Sequence, residues 1–324
     1  MTKLIAEFCQ NHNGNYDLLA RMVDAAAKSG ATHGKMQTIF AENLVYRPQF
    51  EEGVVQDGQI RAIKRPYKDE YERLKGLEIT QEESEEFVRL CSDHGIVPIT
   101  TCFASTDIDQ IYEAGFRSIK VASYDCGSFP MLRLLADKFD EIIVSTGASF
   151  DDEIEHAAAI LKGTNFSFLH CVTIYPTPLE EVHLLRMEWL RQFISHVGFS
   201  DHSLVASTGL LASKAALLMG ANVIERHFTT LPSSETRDGP VSINTDQLQE
   251  IVEFSKLSAE SKESMMRDEH PGWEVVKGQR TRNLSHEELL NRDYYRGRFA
   301  SQRSCGQGDS RMIYNWEENP SIRI

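Results

Sequence analysis

Two lysines and two histidines stand where side chains from short apolar runs must face a packed interior. Lys35 lies in HGKMQTI (33–39) and Lys120 in SIKVAS (118–123); His202 follows SHVGFSD (195–201), and His227 lies in NVIERHF (222–228). A lysine buried inside a sheet is costly unless it meets an anion. Two of them imply a strongly anionic ligand such as a phosphate or carboxylate. The alternative is a structural ion pair with Glu7 or Asp125, although such buried pairs add little net stability. Two imidazoles at the ends of neighbouring strands are what a divalent metal needs. A pair with open positions suits a labile, mostly hydrated ion such as Mn²⁺ better than a closed zinc site. The alternative is a hydrogen-bonded core role for each ring. Asp201 is placed to orient an imidazole. The same run ends carry Glu7, Gln37, Thr100, Thr101, Ser123, Asp125, Ser145, Thr146, His170, Thr173, Ser200 and Glu225. Strand side chains alternate with period two, so Lys35 shares a face with Gln37, and Glu225 with His227. Cys9, Cys102, Cys126 and Cys171 also sit at these ends and read as small apolar fillers.

The remaining apolar runs are LIAEFCQ (4–10), IVPITTC (96–102), EIIVSTG (141–147) and FSFLHCV (166–172), which makes eight candidate strands. Helical patterns such as YDLLARMVDAAAKSG and TGLLASKAALLMG follow them, and Gly30, Gly95, Gly115 and Gly220 are positioned as helix caps. Alternating βα units mean a parallel sheet, and eight of them fit an α/β chain folded as a (β/α)8 TIM barrel over residues 1–264. An open doubly wound sheet would usually carry a glycine-rich phosphate turn after its first strand, and NHNG is not one. Active sites of such barrels lie at the C-terminal ends of the strands, where the polar residues above are found.

Two segments depart from the alternation. Residues 40–80 form a long, charged insertion of the kind that covers sites or mediates contacts. Residues 265–324 form a C-terminal extension with arginines in RTRN and YYRGR, and aromatics at Trp273, Tyr294, Tyr295, Phe299, Tyr314 and Trp316. That many aromatics would be poorly placed in a floppy tail, so an ordered arm is expected, wrapping the barrel or a second subunit. Arg296 and Arg298 are two apart and would face one pocket if extended. Residues 290–316 are therefore expected to fold over a barrel mouth, their own or a partner's.

The chain has 324 residues, with 34 Lys and Arg against 48 Asp and Glu, for a net charge of −14. That balance argues against nucleic-acid or anionic-membrane partners, but not against a small anionic substrate in a locally basic pocket. No apolar run reaches the roughly 18–20 residues of a membrane span, and MTKLIAEFCQNHNG lacks the core of a signal peptide. The six cysteines form no CxxC pair. Reduced thiols in a cytoplasmic protein are the expectation.

In order along residues 4–257, IAEFCQNHNG, GKMQTIFAENL, YERLKGLEIT, IKVASYD, VSTGAS, HCVTIYPTP, VGFSDHS and ERHFT resemble the successive motifs of the sialic acid synthase family. HCVTIYPTP together with GFSDHS and ERHF is highly specific. The resemblance implies a (β/α)8 barrel, usually a homodimer, that condenses phosphoenolpyruvate with N-acetylmannosamine or a related amino-sugar aldehyde. It implies Mn²⁺ or Mg²⁺ held by His202 and His227 to polarise the aldehyde. Lys35, Lys120, Ser123, Ser145 and Thr101 would cradle the phosphate and carboxylate, and Asp125 would stabilise the developing cation or handle a proton. Glu7 and Gln37 would touch sugar hydroxyls and the nearby phosphate. Thr173, Tyr175 and Ser200 complete the substrate-binding set that the resemblance implies, alongside Arg296 and Arg298 of the arm.

The chain also departs from the family's pattern. Asp125 stands where the family has Glu, and Thr101-Cys102-Phe103-Ala104 replaces a hydroxyl residue followed by Pro-Phe-Ser. Thr173 stands where Asn or Ser is common, and Val241 where an Asp follows Gly-Pro, so Asp238 or Asp246 would have to supply that contact. The family's C-terminal antifreeze-like domain is not legible in residues 265–324. Two other readings of the same barrel are a metal-dependent aldolase or epimerase and an inactive scaffold. The pair Lys35 and Lys120 speaks against the first; Glu7, both lysines and both histidines together speak against the second.

Overall fold

The computed structural model describes residues 2–300. Eight parallel strands close into a barrel in chain order. They are β1 (Lys3–Glu7), β2 (His33–Gln37), β3 (Val97–Cys102), β4 (Ser118–Val121), β5 (Glu141–Ser145), β6 (Phe166–Cys171), β7 (Val197–Asp201) and β8 (Val223–His227). β1 pairs with both β2 and β8, so the ring leaves no open edge. These are the eight runs expected from the sequence, shortened where the motif residues turn out of the sheet. Helices surround the ring, as the alternation required. The first, Tyr16–Lys28, is capped by the Asn15 side chain, which accepts from the Leu18 N–H. It buries Leu18, Leu19, Met22, Val23 and Ala26 against the barrel wall. Gly30, Gly95, Gly115 and Gly220 all take positive φ after their helices, as caps do.

The barrel interior is layered. Ile5, Ile99, Ile143, Leu169 and Val223 form a small apolar plug of their own. Two residues further along the same strands come Glu7, Thr101, Ser145, Cys171 and Glu225. Period-two alternation thus turns an apolar plug into a polar floor one layer higher. β7 contributes Gly198 to the lower layer, where an added Cβ would fall 2.3 Å from the Val223 carbonyl oxygen. Only glycine fits there, and Ser200 follows on the same face. The outward-facing residues of the strands join the helices in the main apolar core, which includes Cys91, Cys102 and Cys126.

The insertion and the arm fold together over one side of the barrel mouth. The insertion holds a two-stranded hairpin (Val54–Gln56 and Gln59–Ala62) and a helix, Tyr67–Lys75. The arm holds the helix His286–Tyr295, whose Ser285 and Glu288 form a reciprocal capping box. Phe299 packs among Ile39, Ala41, Leu44 and Leu74, and Tyr294 against Phe50 and Ala62. Backbone bonds from Val45 to Arg298 and from Ala300 to Asn43 stitch the two segments. Arg292 ties the arm helix to the barrel through the Ala148 carbonyl (2.6 Å) and Glu153 (2.6 Å). The helix Ala259–Glu269 runs across the boundary placed at residue 264. Cys305, Tyr314, Trp316 and the rest of the arm lie outside the described residues. Among the described residues no helix is long and apolar enough to cross a membrane.

Candidate active site

A cavity of about 430 Å³ opens at the C-terminal ends of the strands. Its floor is a charge network dictated by strand register. Lys35 pairs with Glu7 and lies 3.4 Å from Glu225. Lys120 lies 3.7 Å from Glu225 and donates to Ser145 Oγ (2.7 Å) and the Val121 carbonyl (3.3 Å). Ser200 donates to Glu225 Oε1 at 2.8 Å. The neighbouring pairings Glu7↔Lys35, Glu7↔His227 and Glu225↔Ser200 bring these groups together. Burial lowers Lys35 to about 8 despite the attraction of Glu225. Burial alone would raise Glu225, but Lys120 and Lys35 outweigh it and hold the carboxyl down to about 2.

One corner of the cavity gathers metal-binding side chains. The His202 and His227 rings lie 5.3 Å apart, and Tyr175 packs on His202 at 4.3 Å. Burial lowers the pKa of both imidazoles, so both are neutral, as metal ligands must be. Asp238 Oδ2 is 3.9 Å from His227 Nδ1, and both atoms are buried without a hydrogen-bond partner among the described residues. Cys9 joins them, with its sulfur, a His227 nitrogen and an Asp238 oxygen within 4.8 Å of one another. Orphaned donor atoms converging in this way fit a divalent cation.

Most residues singled out from the sequence line this cavity: Glu7, Lys35, Gln37, Thr101, Lys120, Ser123, Ser145, Tyr175, Ser200, His202, His227 and Arg298. Three do not. Asp125 is buried on the turn Ser123–Asp125, just behind the wall. Burial raises its carboxyl to about 7, against the pull of Arg298, Arg296 and Lys120. Thr173 is fully buried, and its carbonyl accepts from Asn291 of the arm (2.8 Å). Arg296 lies 3.4 Å from Glu153, while Arg298 enters the cavity and pairs with Glu70 at 3.1 Å. Their spacing of two would align them only on an extended chain, and the arm turns at Gly297, whose φ is +71°.

Asp201 does not orient an imidazole. It alternates off the face of Ser200, out of the barrel, and binds Arg226 (2.5 Å), Ser213 Oγ (2.6 Å) and the Ser203 N–H (2.8 Å). His170 points outward likewise, to the Val182 carbonyl at 2.7 Å. Lys120 pairs with Glu225 rather than Asp125, whereas the pairing of Lys35 with Glu7 is realised. Asp238, not Asp246, reaches the cavity. Strand alternation could have separated Asp201 from Ser200 in advance. Nothing local in the sequence marks lining residues such as Gln10, Arg65, Arg73, Arg237, Glu287, Asn291 and Tyr295, because they arrive from loops, the helix of the insertion and the arm.

The sequence matches the NeuB family over residues 22–266. It is 31% identical to an N,N'-diacetyllegionaminic acid synthase of Campylobacter jejuni, an alignment covering 76% of this chain and 73% of that one. It is 28% identical to a pseudaminic acid synthase of the same species, covering 99% of this chain and 86% of the relative. Among solved structures it superposes on an N-acetylneuraminic acid synthetase of Leptospira borgpetersenii with a TM-score of 0.68, at 25% identity and 90% coverage of both chains. The barrel, its motifs and these likenesses agree, and the chain belongs to the NeuB family.

Proposed function

We propose that this chain is a phosphoenolpyruvate-dependent sugar acid synthase. It joins phosphoenolpyruvate to an N-acetylmannosamine-like aldehyde sugar, giving a nonulosonic, sialic-type acid and inorganic phosphate. The observation that carries this reading is the pair of buried lysines facing one cavity. Lys120 donates to Ser145 and Val121 and lies 3.7 Å from Glu225, and the same cavity is lined by the further cations Arg65, Arg73, Arg237 and Arg298. Glu7 and Glu225 balance the two lysines, but with the arginines set against Asp238 and Glu287 the lining as a whole is basic, and a dianionic phosphate with a carboxylate would be its natural ligand.

In this reading Lys35 and Lys120 hold the phosphate and carboxylate, with the hydroxyls of Thr101, Ser123, Ser145 and Ser200 completing the cradle. Holding both anions aims C3 of phosphoenolpyruvate at the aldehyde carbon. The new C–C bond forms from the enol π electrons, the aldehyde oxygen takes a proton, and C2 is left electron-deficient. Water adds to C2 and gives up a proton. The C2–O bond to phosphate then breaks, leaving the 2-keto group and inorganic phosphate. Asp125 exchanges a proton near neutral pH and would serve the proton traffic from behind Ser123. Glu7 and Gln37 would meet sugar hydroxyls. His202, His227 and Asp238 would hold Mn²⁺ or Mg²⁺, which when bound supplies Lewis acidity toward the aldehyde oxygen.

The test is phosphate release from phosphoenolpyruvate across a panel of aldehyde sugars, with and without N-acyl and phosphate groups. Release that requires both substrates supports the reading. Sugar turnover without phosphoenolpyruvate would replace it with the aldolase or epimerase reading, and no turnover with any sugar would leave the scaffold reading.

A further inference from the structure

We propose that Cys9 is itself a ligand of the divalent cation, together with His227 and Asp238, so that this site takes a thiophilic ion such as Zn²⁺ or Co²⁺ ahead of Mg²⁺. The inference rests on the metal reading above and departs from its plain two-histidine form. First, three donor atoms of different elements converge within 4.8 Å: a sulfur, an imidazole nitrogen and a carboxylate oxygen. Second, His227 is only 8% exposed, yet its Nδ1 has no hydrogen-bond partner among the described residues, and neither has Asp238 Oδ2. Buried polar atoms without partners are uncommon and ask for a ligand.

Third, the backbone at Cys9 is strained in a telling way. Its φ is +44°, in the left-handed region where a β-carbon is penalised and glycine would be free. The turn is imposed from both sides. The Cys9 N–H donates to Glu7 Oε1 at 2.7 Å, and the Asn11 N–H to the Phe8 carbonyl at 2.8 Å. Side chains kept in such conformations cluster at ligand clamps. A filler role does not account for the thiol's position, because Cys9 lines the polar cavity and is absent from the apolar core that holds Cys91, Cys102 and Cys126. Cys171 also lines the cavity, but its sulfur lies 3.7 Å from Nδ1 of the other imidazole, His202, and outside the cluster.

The chemistry balances without a further reactant. A thiol ligates as the thiolate, so binding expels one proton to solvent and forms one metal–sulfur bond. Thiolate is a soft donor, which favours Zn²⁺ and Co²⁺ over the oxygen-seeking Mg²⁺. His202, which directly follows the neighbouring strand, has its ring 5.3 Å from that of His227 and is a further imidazole for the same ion.

Cobalt makes the ligand visible. The full chain, stripped with a chelator and titrated with Co²⁺, is expected to show visible d–d bands and a near-ultraviolet thiolate-to-cobalt charge-transfer band. Cys9→Gly suits the positive φ and should keep the apo melting temperature while abolishing the charge-transfer band. Cys9→Ser should do the same, and Cys171→Ala should leave the band in place. Zn²⁺ affinity of Cys9→Gly is expected to fall by at least the ~10–100-fold typical of losing a supporting partner. Visible bands without a thiolate band, or a thiolate band that survives Cys9→Gly, overturn the proposal alone. Absence of any cobalt spectrum overturns it together with the metal reading.

Discussion

The floor and the rim of the cavity are built in opposite ways. On the floor, Lys35, Lys120, Glu225, Ser145 and Ser200 come from strands whose hydrogen-bonded register leaves each side chain one position. At the rim, Arg65, Arg73, Arg237, Asn291, Tyr295 and Arg298 come from the insertion, a loop and the arm. These are held by side-chain contacts such as the stacking of Tyr124 on Tyr295 at 4.8 Å. A register-locked floor suits a reaction step that does not change, whereas loops can be exchanged to alter what the mouth accepts. In this chain the floor would handle phosphoenolpyruvate and the rim would select the sugar.

Variants can break that division, and the largest effect is expected on the floor. His227→Ala should abolish turnover while the melting temperature changes little, because among the described residues the ring already lacks a hydrogen-bond partner at Nδ1. Near-normal activity in the presence of a chelator would remove the cation from the reaction. Next in size is Asp125, at the seam between floor and rim. Its carboxyl is raised from 3.8 to about 7 in the fold. Between those values the folded chain holds a proton that the unfolded chain has lost, so stability falls as pH rises through the window. Asp125→Asn should therefore gain nothing at pH 4 and up to roughly 4 kcal/mol by about pH 7.5. Denaturant midpoints at the two pH values check it, and an equal gain at both would mean an ordinary carboxyl.

Lys120→Ala should raise KM for phosphoenolpyruvate by about 1.5–3 kcal/mol, roughly 10- to 150-fold, with a much smaller effect on the sugar. Equal effects on both substrates would make the lysine a structural partner of Glu225. Arg298→Ala should show the reverse pattern, about tenfold in the KM of the sugar, or ~1.4 kcal/mol, with phosphoenolpyruvate unaffected. Glu70 keeps a partner in Arg73 at 2.7 Å, so the fold should survive. The smallest effect is expected for Asn291→Ala, which removes one neutral hydrogen bond to the Thr173 carbonyl and about 1 kcal/mol of stability. A larger loss confined to kinetics would bring the arm helix closer to the substrate than its contacts imply.

The eight strands, the caps at Gly30, Gly95, Gly115 and Gly220, and the inward set Glu7, Lys35, Thr101, Lys120, Ser145, Ser200 and Glu225 were all legible in the sequence. They depend on local rules, namely period-two alternation and the order of βα units. Asp201 obeys the same alternation, which turns it away from the face of Ser200 and onto Arg226 and Ser213. What only the tertiary structure decided is where irregular segments end up: Asp238 and Cys9 beside His227, Arg298 inside the cavity and Arg296 outside it. Those positions follow from a left-handed turn at Cys9, a bend at Gly297 and the packing of Phe299 and Tyr294 on the insertion. Local periodicity carries no information about such placements, because each is set by contacts between residues far apart in the chain.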